Sequence, residues 1–155
     1  MFDRILVPLD GSEHSHRALE TAIQIAKKFD SKVALLHVYS ITVMPVIVPE
    51  PTTVTPAGVP VATSAEVSRM VDAARDAGKE ILTDGEQKVR AQGIEGETAL
   101  REGNSVQEIV KMTKEGQFDL IVMGVRGSHK IREILMGSVS EGVIKNTHCP
   151  VLVVK

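Results

Sequence analysis

Four short runs of nearly unbroken apolar residues punctuate the chain: Ile5-Leu6-Val7, Val33-Ala34-Leu35-Leu36, Leu120-Ile121-Val122-Met123 and Val151-Leu152-Val153-Val154. Between them lie longer stretches in which apolar residues recur with helical spacing. A strand without polar alternation has both of its faces covered. Strands of that kind, alternating with helices, belong to parallel sheets enclosed between helical layers.

The elements follow from local signals. The first strand is Arg4–Pro8. A helix from about Glu13 to Phe29 has Ser12 as its N-cap and a stripe of Ala18, Leu19, Ala22, Ile25, Ala26 and Phe29. The second strand is Lys32–Val38. From about 40 to 63 the chain carries Pro45, Pro49, Pro51, Pro56 and Pro60, five of its seven prolines, which excludes a regular helix and most strand pairing. This stretch reads as an insertion across the top of a single domain spanning 1–155. Thr63 and Glu66 form a capping box for a helix reaching about Gln92, with Val67, Met70, Val71, Ala74, Ala77 and Ile81 inward. A third strand near Glu95–Leu100 precedes a helix from Ser105, capped with Glu108 and stopped at Gly116. The strand Asp119–Met123, a helix over about Ser138–Lys145 and the strand Val151–Val154 complete the chain. Right-handed crossovers then give a doubly wound α/β fold, a five-stranded parallel sheet in the order 3-2-1-4-5, flavodoxin- or Rossmann-like, with helices on both faces. Its topological switch lies between strands one and four, where a ligand crevice opens at the strand ends. Pro8–Asp10 and the segment after Met123 are those ends.

That second segment reads Gly124-Val-Arg-Gly127, nine residues, then Gly137-Ser138. Glycines at a strand end and before a helix let backbone approach a ligand, and a helix start offers free N–H groups to an anion such as phosphate. The spacing is neither that of a P-loop nor that of the dinucleotide fingerprint. Each piece also has a plain reading: Gly124 and Gly127 as turn residues, Ser138 with Glu141 as a capping box, and Asp10 as a turn former in Asp-Gly-Ser. Arg126, between two of the glycines, is placed to donate charge-assisted hydrogen bonds to phosphate oxygens. Lys130 and Arg132 read equally well as solvated surface charge.

The opening Ile5–Ser12, His37-Val38, the glycine segment through Glu141, and Cys149–Val154 together resemble the universal stress protein family over the whole chain. The resemblance implies that Asp10 accepts a hydrogen bond from the adenine amine and that Val38 meets the base through its backbone, beside the strand end at Pro8. It implies that Gly124 and Gly127 border ribose and phosphates, and that Gly137, Ser138 and Val139 donate to the phosphate chain. The implied ligand is ATP, or ADP or AMP, with any Mg or Mn carried by the phosphates. The implied assembly is a homodimer through the last strand. The resulting expectation is an ATP-binding regulatory or stress-response protein with slow hydrolysis at most. The alternative is a dimeric interaction module of the same fold acting without nucleotide.

Other classes fit poorly. A net charge of −2 and an aromatic set of Phe2, Phe29, Tyr39 and Phe118 offer neither a basic surface nor stacking platforms for nucleic acid. Spaced prolines and Glu50 argue against a membrane span in the insertion. The chain enters its first strand at once, without a signal-peptide layout, so a cytoplasmic location is expected. Cys149, the one cysteine, forms no intramolecular disulfide and reads as a packing residue. His14, His16, His37, His129 and His148 show no metal-ligand spacing, and His37 reads as a hydrogen-bonded residue at a strand end. No spare carboxylate stands near the proposed phosphates to serve as a catalytic base, so no catalytic residue is assigned. A phosphorelay receiver needs an acidic pair after strand one and an Asp after strand three. Here strand three ends Leu100-Arg101-Glu102-Gly103.

Overall fold

The computed structural model describes residues 2–40, 63–125 and 136–155. Its elements run β1 (Arg4–Pro8), α1 (Glu13–Phe29), β2 (Lys32–Tyr39), α2 (Ser64–Ala91), β3 (Gly96–Glu102), α3 (Ser105–Glu115), β4 (Leu120–Gly124), α4 (Ser138–Asn146) and β5 (Val151–Val154). All strands pair in parallel, in the order β3-β2-β1-β4-β5. The winding runs outward from β1 in one direction and from β4 in the other, which produces the expected switch between β1 and β4. The proline-rich insertion lies outside the described residues between 41 and 62.

The apolar runs are buried as their composition requires. Ile5, Val7, Val33, Leu35, Leu120 and Val122 face α1 and α2, joined by Leu19, Ala22, Leu82 and Val89. Leu6, Ala34, Leu36, Ile121 and Met123 face α3 and α4, joined by Ile109, Met112 and Val143. Alternate residues of one strand thus serve two cores. That explains why these strands carry no polar alternation.

Two helical stripes differ from the sequence reading. In α1, Ile23 is buried while Phe29 is exposed and packs edge-on against Phe2. In α2, Met70 and Ala77 are exposed, and the buried positions are Gly78, Leu82, Gly85 and Val89. The reason is close packing. A Cβ on Gly78 would lie 2.6 Å from His37 Cδ2, and one on Gly85 would lie 2.8 Å from Leu9 Cδ1. Glycines two turns apart let α2 lie directly on the sheet, although each costs about 1 kcal/mol of helix propensity relative to alanine. Glycine carries no hydropathy signal, so periodicity counted from apolar residues misses this face.

The helices begin where the sequence places them, but two of their caps differ. Ser12 and the Thr63–Glu66 capping box are formed as expected. For α3 the cap is Asn104, whose side chain accepts from the Gln107 N–H, so Ser105 is the first helical residue. Glu108 turns instead to Arg101. For α4 the cap is Gly137, and the Ser138–Glu141 capping box is not formed.

Candidate functional site

The strand register places the C-terminal ends of β2, β1 and β4 side by side. Pro8, half-buried, pairs with Leu36 at the last rung of the β1–β2 ladder, and the Leu9 N–H still donates to the Leu36 carbonyl at 2.8 Å. Beyond it the chain turns through Asp10 and Gly11, the latter at φ +80°, into the N-cap Ser12. Asp10 is exposed, and its Oδ1 accepts from the Ser12 N–H at 2.9 Å. The turn-forming role of Asp10 is therefore realised.

Alternation along β2 decides which way its backbone groups point. The Leu36 carbonyl is turned toward β1, whereas the Tyr39 carbonyl accepts from the Gly103 N–H on the β3 side. Even-numbered residues of β2 thus face β1 and odd-numbered ones face β3. The Val38 N–H and C=O consequently point past the end of β1, and among the described residues no backbone partner meets them there. They open into the crevice. Above them, His37 Nδ1 donates to the Leu9 carbonyl at 2.7 Å.

The opposite wall comes from β4. Gly124 packs against the first turn of α1: a Cβ there would lie 2.8 Å from the carbonyl carbon and Cβ of His14. The His14 Nδ1 is buried and has no hydrogen-bond partner among the described residues. Past β4, the Gly137 N–H donates to the Val125 carbonyl at 2.8 Å, which brings the start of α4 back to the strand end. Ser140 is buried and its hydroxyl reaches the carbonyls of Val125 and Gly137, both at 2.9 Å. Among the described residues no side chain caps α4. Its leading residues, exposed Ser138 and half-buried Val139, present N–H groups at the positive end of the helix dipole, suited to an anion.

Pro8, Asp10, Val38, Gly124, Gly137, Ser138 and Val139 are thus gathered at the ends of β2, β1 and β4. Arg126 and Gly127 lie outside the described residues, as do His129, Lys130 and Arg132. Among the described residues no group of three or more His, Cys, Asp or Glu is placed to hold a metal ion. Cys149 packs at the edge of the α3–α4 core, and burial, then Asp119, push its thiol above the ordinary range. No helix among the described residues is long and apolar enough to cross a membrane. His37 is hydrogen-bonded at the strand end, as its position suggests, but nothing in the sequence says which carbonyl its ring meets.

The universal stress protein family model matches residues 1–155. The chain belongs to the universal stress protein family. It is 37% identical to universal stress protein MJ0531 of Methanocaldococcus jannaschii over 155 residues, all of this chain and 83% of that one. It is 32% identical to universal stress protein YxiE of Bacillus subtilis, over the full length of both. Among solved structures, universal stress protein UspA from Lactobacillus plantarum superposes with a TM-score of 0.82 at 24% identity, covering 99% of this chain and 98% of that one, a likeness of fold. A universal stress protein in complex with cAMP superposes with a TM-score of 0.68 at 25% identity, covering 99% of this chain and 97% of that one. The sheet order and the helices on both faces are those of the universal stress protein fold.

Proposed function

We propose that this universal stress protein binds an adenine nucleotide in the crevice between β1 and β4 and works as a nucleotide-dependent regulatory protein. The observation that carries this reading is the meeting, at one end of the sheet, of two backbone surfaces that have no partner among the described residues. The Val38 amide and carbonyl form a donor–acceptor pair suited to the edge of a base. The uncapped start of α4, drawn back to β4, suits phosphate oxygens. Asp10, exposed beside Pro8, supplies an acceptor for the adenine amine, while Gly137, Ser138 and Val139 donate to phosphate. Gly124, with Arg126 and Gly127 in the segment that follows, completes the proposed set. The related structure bound to cAMP supports an adenosine phosphate as the class of ligand. ATP, ADP and AMP share that adenosine part, and a divalent ion would arrive on the phosphates with most of its waters.

The one carboxylate among the proposed contacts, Asp10, is assigned to the adenine end, and none of the residues proposed at the phosphates carries a carboxylate to activate water. Binding, with hydrolysis slow at most, is therefore the function assigned. A dimer through β5 accompanies this reading. The alternative of a dimeric module acting without nucleotide draws on one observation: Asp10 and Gly124 each have a local structural task.

Calorimetric titration with ATP, ADP, AMP and cAMP tests the proposal. Saturable binding of at least one is expected. Gly137→Val keeps an extended cap conformation that valine tolerates, yet sets a branched side chain where phosphate would lie. It should weaken binding by about 1–3 kcal/mol, the scale of lost charge-assisted hydrogen bonds. A parent protein that binds none of the four supports the nucleotide-free module.

A further inference from the structure

The β1–β2 ladder stops one rung earlier than the two chains would allow. In a parallel ladder, Leu36 bridges β1 by giving its N–H to one carbonyl and taking the N–H of the residue two further on. The second of these bonds, from the Leu9 N–H, is present at 2.8 Å. The next rung in that pattern is the Val38 N–H to the Leu9 carbonyl, and it is not made. That carbonyl instead accepts from His37 Nδ1 at 2.7 Å. A carbonyl is an acceptor only, so the proton sits on Nδ1.

The ring is held in place from behind. Gly78 of α2 faces it so closely that a Cβ would lie 2.6 Å from His37 Cδ2 and 3.2 Å from Nε2. Leu9 itself is only 3% exposed, so its carbonyl needs a partner, and an unmet buried acceptor is costly. Two donors compete for that role, the imidazole of His37, which bonds it, and the amide of Val38, which the ladder pattern would bring to it. The imidazole has taken the position.

We infer that His37 is a positioning residue which wedges the end of β1 away from β2, so that the Val38 amide stays open for a ligand. This rests on the assignment of the crevice as the nucleotide site only for the identity of that ligand. The wedge is a property of the free protein. Removing the imidazole leaves the Leu9 carbonyl buried and unpaired, and the cheapest relief is to close the rung onto Val38. Ligand and Leu9 then compete for the same N–H.

The test is amide hydrogen exchange, followed residue by residue in the free protein, combined with titration of AMP. In the parent the Val38 amide should exchange fast, while its neighbours in β2 are protected. In His37→Leu the Val38 amide should become protected by about tenfold or more, the scale of one hydrogen bond, and AMP affinity should fall. His37→Asn keeps an N–H donor near the Nδ1 position and should restore both readouts. Gly78→Ala leaves the imidazole intact but crowds it off the Leu9 carbonyl, and should act like His37→Leu. A purely structural histidine predicts the opposite: loss of protection across β1 and β2, with no gain at Val38. Unchanged or faster Val38 exchange in both His37→Leu and Gly78→Ala overturns the wedge, whatever AMP does. If either variant fails to fold, the other and His37→Asn decide. Gained protection at Val38 in a protein that never binds AMP upholds the wedge and removes the nucleotide assignment instead.

Discussion

Asp10 stands at a position where one carboxylate has two possible partners, and the two can be separated. Its Oδ1 takes the Ser12 N–H and shapes the turn into α1. The second oxygen is on an exposed residue at the crevice. Asp10→Ala should weaken AMP binding and narrow the preference for AMP over GMP, because a lost acceptor removes base discrimination. Asp10→Asn keeps a carbonyl oxygen for either task and should retain most of that preference. Competition titration of the two nucleotides reads the ratio; an unchanged ratio in the alanine variant leaves Asp10 as a turn former alone. Gly124 shows a different overlap. Its missing Cβ makes room for the His14 backbone, which cannot swing aside as a side-chain tip can. Gly124→Ala should therefore destabilise the fold by about 1–3 kcal/mol, the scale of overpacking, measured by urea unfolding without ligand. The sequence shows that both residues sit at a strand end, since glycine, aspartate and apolar runs are local signals. It does not show the packing task of Gly124 or the bond of His37. Those depend on which residue the register brings opposite, and no spacing encodes that.

At the level of elements, the strands were legible because each apolar run is bounded by turn chemistry, and β1 and β5 begin and end where the residues say. Helix starts were legible where a cap is the first hydroxyl or amide before the run, as with Ser12 and Thr63. For α3 and α4 the first helical residues, Ser105 and Ser138, agree with the sequence, but the cap is the residue before each, Asn104 and Gly137, rather than a serine capping box. The association of α3 with the sheet edge was not legible at all. It uses Arg101 of β3, whose guanidinium reaches Glu115 at 2.8 Å and Glu108 at 3.3 Å. The hydrogen bond from Arg101 holds the Glu115 carboxyl below its ordinary value of 4.5. A carboxylate lowered in the folded state contributes stability that is complete above its unfolded value and is lost as pH falls through its folded one. Arg101→Met removes that contribution while keeping the apolar stem. The variant should melt below the parent at neutral pH, and the gap should shrink on acidification below the ordinary carboxylate range. Thermal melts at a series of pH values check the sign. A gap that widens in acid rules out this ion pair as its source.

For the whole molecule, order and handedness follow from short parallel strands joined by helices, so the sheet could be read from sequence. What the isolated sheet leaves open is its edge. Strand β5 is the outermost strand beside β4, and Leu152 is 37% exposed. The carbonyls of Pro150 and Val154 accept from Ile121 of β4 and from Val125 just past it, so even-numbered positions of β5 face inward. Val151 and Val153 therefore turn their N–H and C=O groups outward. An apolar edge without proline or an inward charge is an aggregation hazard. A two-fold copy presenting the same edge resolves it, because antiparallel pairing of two β5 strands satisfies both rows of outward groups. We accordingly propose a homodimer with a sheet continuous across the two copies. Val153→Pro provides a sharp test, because proline at this position deletes one outward N–H and leaves the β4 ladder untouched. The parent should sediment as a dimer at micromolar concentration. The proline variant should keep its circular dichroism spectrum and sediment as a monomer. A monomeric parent, or a variant that remains fully dimeric, would place the contact between copies elsewhere or remove it.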